Sequence, residues 1–298
     1  MDFMKRLIIS FTVLLMIIGG LSAQETTAVD SLHLVKIETK DGNTFVGEVT
    51  EETDGFIVLS TEKMGRITIQ KQDIRTRTEL HGIRKEKGEF WMPNPQSTRY
   101  FWAPNGYGLQ KGEAYFQNIW VFYNQISWGL TDHFSMSTGM IPLFLLGGTA
   151  TPIWVVPKFS FPVKENSLNI GTGAFLGTIL GEDTGVFGLL FGTATIGSPD
   201  KNFSLGLAQG FSTEGWMDVP IFNFSGMVRT GPRGYFITEN YLISAEGETG
   251  VMISAGGRSI IRSIGLDYSL WIPVFPEMDT FIALPFLGVT VPLGKRNR

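Results

Sequence analysis

The chain has 298 residues, a net charge of −4 and no cysteine. That balance gives no general argument for a nucleic-acid partner, and the missing thiols exclude disulfides, thiolate metal sites, a cysteine nucleophile and a lipoprotein anchor. At 43% hydrophobic and 17% charged, the apolar fraction is high for a chain with so few charges.

The first residues read as an export signal. Lys5 and Arg6 form a basic start, Leu7 to Gly20 an apolar core, and Leu21-Ser22-Ala23 ends in a small residue, which puts the cleavage after Ala23. The core is shorter than the about 20 apolar residues a spanning helix needs. No later run is long and apolar enough to span as a helix, so a membrane-bound mature chain must be a closed barrel.

Composition changes near residue 95. Roughly a third of residues 24–95 are Asp, Glu, Lys or Arg, against roughly an eighth of residues 96–298. The expected organisation is a signal peptide at 1–23, a disordered start at 24–31, a small β domain at 32–80, a charged linker at 81–95 and a barrel at 96–298. In the small domain, Leu34–Thr39, Thr44–Val49, Phe56–Ser60, Gly65–Ile69 and a stretch at Ile74 read as short strands, with Lys40–Asn43 as a turn. A strand, an Asp-Gly turn and a second strand with an internal Gly47 resemble SH3-like and Sm-like small barrels. RNA binding is not carried over, because an exported domain meets no cellular RNA and no aromatic stacking set is present.

The barrel part is anchored by Gly112–Gly139, which reads as two aromatic, β-branched strands around a Leu130–His133 turn. The predicted strands are 99–104, 113–129, 134–142, 152–162, 167–178, 185–196, 202–211, 219–229, 234–244, 249–256, 263–272 and 280–292. Twelve is even, as single-chain outer-membrane barrels require. In 202–211, Phe203, Leu205, Leu207 and Phe211 oppose Ser204, Gly206, Ala208 and Gly210. Large apolar residues on one face with small or polar ones on the other fit a lipid-facing wall around a polar lumen. The fold class expected is therefore all-β: an antiparallel transmembrane β-barrel of about twelve strands preceded by a small SH3-like barrel. Seven tryptophans near strand ends fit interfacial girdles.

Thr98–Pro104 and Lys111–Asn118 resemble the start of a group of uncharacterised Gram-negative outer-membrane barrel proteins, and Trp128–Asp132 is similar to a turn common in bacterial outer-membrane barrels. The resemblance implies fold and location; it implies no activity. The N-terminal domain is separately expected in the periplasm.

Turns on the side of the N-terminal domain are expected around Asp132, Lys164–Asn166, Ser198–Lys201, Gly231–Arg233 and Gly257–Arg258. The opposite loops are expected at 105–111, 147–151, 182–183, 212–218, 246–248 and 275–279. All are short, which argues against a plugged receptor. Inward polar residues are expected at Asn118, Lys158, Ser160, Glu239 and Asp267, although Glu239 shares its parity with Tyr235, Ile237, Tyr241 and Ile243. The leading function is a narrow channel or transporter for small solutes. The alternative is a scaffolding barrel with a closed lumen whose small domain binds a periplasmic protein. A lipid-modifying enzyme ranks third: His133, Asp132 and Ser135 are close in sequence, but their turn accounts for Asp and polar neighbours without catalysis. No cofactor or metal motif appears. The expected partners are outer-membrane lipid, a small solute and a periplasmic protein.

Overall fold

The computed structural model describes residues 34–80, 83–86, 89–148, 150–245, 248–276, 278 and 280–293. The signal segment, its cleavage at Ala23, residues 24–31 and His81 lie outside them.

The small domain has strands β1 (Leu34–Thr39), β2 (Thr44–Glu52), β3 (Phe56–Thr61), β4 (Gly65–Gln70) and β5 (Ile74–Leu80), with a single 3-10 turn at Lys71–Asp73. They form one antiparallel sheet in the order β4-β3-β2-β1-β5. Val35, Ile37, Ile57, Leu59 and Ile69 make its core. Here the alternation works in the ordinary sense, with apolar residues inside and charges outside.

Residues 83–91, expected to belong to a charged linker, include a hairpin of β6 (Arg84–Glu86) and β7 (Glu89–Trp91). The reason is Phe90, whose ring is buried in a cluster with Leu34 and Ile83. Ion pairs tie this region and the small domain to the barrel rim: Arg84 to Asp200, and Arg233 to Glu62 at 2.9 Å.

The wall begins at β8 (Ala114–Ile119), β9 (Tyr123–Gly129) and β10 (Phe134–Met140). A five-residue helix, α1 (Pro142–Leu146), follows; no helix among the described residues is long and apolar enough to cross a membrane. Then come β11 (Thr151–Lys164), β12 (Leu168–Leu180), β13 (Phe187–Ser198) and β14 (Lys201–Ser212). After the two-residue β15 (Gly215–Trp216) the wall is completed by β16 (Ile221–Gly231), β17 (Gly234–Ala245), β18 (Glu248–Ile261), β19 (Ile264–Val274) and β20 (Leu284–Pro292). Every neighbouring pair is antiparallel, and β20 pairs with β8, so the twelve long strands close into a barrel without a free edge.

Twelve is the expected number, reached by different strands. The predicted strand 113–129 is a hairpin, reversed at Trp120 and Val121, whose φ angles are 51° and 68°. Arg99–Pro104 is not a wall strand: it folds on itself through an isolated bridge and a bond from Tyr100 N–H to the Ala103 carbonyl. Gly257–Arg258 is not a turn either but lies within β18; the reversal comes at Arg262 (φ 60°).

One end of the barrel, called the near end here, carries short turns at 130–133, 165–167, 199–200, 232–233 and 262–263 together with the small domain. The far end carries 120–122, 141–148, 181–186, 213–220, 275–276 and 280–283. The outward face is apolar: Leu205, Leu207, Phe159, Ile170, Leu270, Phe222 and Leu287 are all exposed. The inward face carries Ser135, Ser137, Asn169, Thr195, Asn202, Ser204, Ser225 and Thr290, all buried.

Candidate functional site: the lumen and its strap

Residues 93–112 occupy the interior of the barrel as a finger inserted from the near end. The finger enters beside Pro232, where Met92 N–H bonds the carbonyl, and leaves where Gly112 N–H bonds Gly129. Its tip, Phe101–Trp102, reaches toward the far end. Phe101 packs on Trp271 and Phe286, and Trp102 on Tyr123, which itself stacks on Trp154 at 4.4 Å. Trp154 and Trp271 therefore point inward and belong to the plugged interior, not to an interfacial girdle. The expectation of an unplugged barrel, and of a loop at 105–111, is overturned: the plug comes from the segment before the first wall strand, and no long loop is needed to supply it.

Three charged groups of the wall hold this strap. The Arg258 guanidinium is completely buried. It donates to both Asp267 oxygens (2.6 and 2.9 Å), to Asn94 Oδ1 (2.8 Å), to the Gln96 carbonyl and side-chain oxygen (2.7 and 2.9 Å) and to the Tyr100 carbonyl (2.8 Å). A planar fork with five donors is the side chain suited to such a junction. Glu239, also completely buried, accepts the backbone N–H groups of Phe101 (2.8 Å), Trp102 (2.9 Å) and Ala103 (3.0 Å), plus the Tyr241 hydroxyl. Three successive N–H groups converging on one carboxylate form a nest for negative charge. Lys158 donates to the carbonyls of Thr98 (3.3 Å) and Tyr107.

Neutral contacts complete the fit. Tyr100 hydroxyl meets Asn202 and Ser204 at 2.7 Å, and Gly106 N–H donates to Thr195 Oγ1 at 2.6 Å. Gly106 has to be glycine, since a Cβ there would lie 2.4 Å from the Asn169 carbonyl oxygen.

Of the residues singled out in the sequence, Lys158, Ser160, Glu239 and Asp267 are buried in the barrel. Asn118 is not: it shares parity with Ala114 and Phe116 on the outward side and is spent on the far-end hairpin, bonded to Asn124 and to Val121 N–H. Its outward parity follows because Tyr115, Gln117 and Ile119 are the buried members of β8. The apolar company of Glu239 is also explained: Tyr235 and Ile237 point inward with it and pack in the interior cluster. Arg258, Arg99 and Gln117 were missed in the sequence. Arg258 stood in a Gly257-Arg258 pair that reads as a turn.

The third-ranked constellation is not assembled. His133 Nδ1 lies 3.2 Å from the Ser160 carbonyl and its ring faces Phe161; Asp132 accepts from Lys111 N–H; Ser135 is buried on the inward face. Among the described residues no three His, Cys, Asp or Glu side chains are grouped to hold a metal.

No family model matches the chain, and no curated protein does. Among solved structures the chain is similar to OpdQ of Pseudomonas aeruginosa, at 10% identity and a TM-score of 0.37, covering 89% of this chain and 96% of that one. A loop-deletion mutant of OmpT, an outer membrane protein of Vibrio cholerae, gives 12% and 0.36 over 89% and 99% of the two chains. OprD of P. aeruginosa gives 10% and 0.35 over 91% and 97%. These are loose likenesses, and the fold stands on the strand pairings of the chain itself.

Proposed function

We propose that the protein is an outer-membrane β-barrel closed at rest by its own strap: a channel for small polar solutes that opens when residues 93–112 leave the lumen. One observation carries this reading. Twelve strands enclose more room than wall side chains fill, and the space is taken by a separate segment bound to a wall of hydroxyls, amides and charges. A permanent filler would not need that polar lining, whereas a solute path would.

The location is supported by the outward face, where large apolar side chains stand exposed along successive wall strands. Short turns at the near end and a longer loop such as 213–220 at the far end support a periplasmic position for the small domain. The strand order β4-β3-β2-β1-β5 and the 3-10 turn before β5 support an SH3-like reading of that domain.

A second reading is favoured by the ion pairs Arg84–Asp200 and Arg233–Glu62, which fasten the hairpin and the small domain to the rim. A scaffold would use such a fixed domain to hold a periplasmic protein. Planar-bilayer recording separates the two. The intact chain is expected to be silent, and a variant lacking residues 96–109 to give stable single-channel steps. A folded but silent deletion variant would reject the channel and leave the scaffold.

A further inference from the structure

Buried charge in the lumen does not balance. The charged side chains among the buried residues of the barrel interior are Arg99, Lys158, Arg258, Glu239 and Asp267. That is three positive and two negative, an excess of one positive. Arg258 is matched by Asp267 at 2.6 Å. Glu239 acts on Arg99 through space, but its two oxygens are bound to three backbone N–H groups and Tyr241. Among the described residues neither Arg99 nor Lys158 has a carboxylate within ion-pair distance, in contrast to Arg229, which pairs with Asp200 at 3.2 Å.

These two cations border the same cavity. Its volume is about 20 Å³, and its polar lining is Thr98, Arg99, Tyr115, Ser127, Ser135, Ser137 and Lys158, with no acid among them. A space of this size admits one water-sized particle. Arg99 spends one nitrogen on Gln117 Oε1 at 3.2 Å, while its buried Nε has no hydrogen-bond partner. An isolated buried charge is costly and is ordinarily paired. An unpartnered guanidinium N–H, a second cation, a ring of hydroxyls and a deficit of one negative charge all meet at one small hole.

We propose that this cavity is a binding site for one monovalent anion of about chloride size, held between Arg99 and Lys158 and hydrogen-bonded by the surrounding hydroxyls. The anion neutralises the lumen and fastens the strap, through Arg99, to β11, through Lys158. It depends on the strap being seated and not on conduction, so a chain that never conducts leaves it standing.

The test uses the full chain in detergent micelles, with sodium chloride compared against sodium gluconate at equal ionic strength, gluconate being too large to enter. The unfolding temperature is expected to rise with chloride and not with gluconate, since a ligand of the folded state alone stabilises it. Crystals grown in sodium bromide should show one anomalous peak in contact with Arg99 Nε and Lys158 Nζ. Lys158→Met keeps the stem and removes the charge, and should abolish both signals. Arg99→Gln provides the same test should the first variant not fold. Equal unfolding in both salts overturns the proposal and leaves the cavity to a water. A bromide peak without chloride-dependent unfolding also overturns it, as an adventitious ion only. So does a chloride effect that survives in both variants, which would be general salt screening.

Discussion

The two β regions of this chain obey one alternation rule with opposite signs. In β1–β5 the inward residues are Val35, Ile37, Ile57 and Leu59 and the outward ones are Lys36, Glu38, Glu52 and Arg77. In the barrel the outward residues are Leu205, Leu207 and Phe222, and the inward ones are Asn202, Ser204, Asn223 and Asp267. What differs is the medium each face meets. The small domain hides grease from water; the barrel turns grease outward and keeps polar groups around the strap. Ion pairs follow the same division. Those of the small domain are half-exposed and add little, whereas the Arg258–Asp267 pair is sealed and hydrogen-bonded on all sides.

That contrast is tested most severely by Arg258→Met. It strands Asp267 in the interior and removes four bonds to the strap, at an expected cost of about 3–5 kcal/mol. Urea unfolding of the refolded barrel in detergent measures the loss, and a change within the few tenths expected of a surface residue would erase the distinction between sealed and exposed pairs. Next comes Leu205→Arg on the outward face, where lipid predicts about 2–4 kcal/mol against insertion at mid-bilayer. The comparison is the yield of protease-resistant barrel in liposomes with that in detergent; equal yields would mean the outward face does not meet hydrocarbon. The smallest effect lies in the small domain. Lys71 and then Arg77 beside Glu52 hold its carboxyl below the usual carboxylate range. A group lowered by folding contributes stability above its ordinary value and loses it as pH falls. Glu52→Gln should therefore flatten the acid limb of amide-exchange protection in β2 and β3, leaving the barrel strands unchanged.

Much of this inside-out arrangement is legible in the sequence. The pattern of 202–211 gives both faces of β14 directly, because each side chain meets a single medium and alternates with period two. The strap was misread for the same reason. Arg99–Pro104 carries the aromatic content of a strand, but those rings pack inside the barrel at the tip of a finger. The hairpin at 120–122 was invisible because Trp120, Val121 and Phe122 offer none of the usual turn residues, while two of them take left-handed backbone angles. Arg258 was lost behind Gly257, which looks like a turn glycine. Gly256 and Gly257 are glycine because neighbouring strands press close: a Cβ at Gly256 would lie 2.0 Å from the Tyr268 carbonyl. Local residue types give the wall, and only the closed tertiary structure reveals which charges share one interior.

The strap also sets an order of assembly. Asn94, Gln96 and Tyr100 leave the ribosome early, yet their partner Arg258 lies 164, 162 and 158 residues further along. Such distant pairings form late and slowly. Because the finger enters and exits by the same mouth, it needs no threading: the hoop of strands can join β20 to β8 first and receive it afterwards. Every newly made molecule would then pass through a moment when its bore is vacant and wet, and the last act of maturation would be to cork itself from behind.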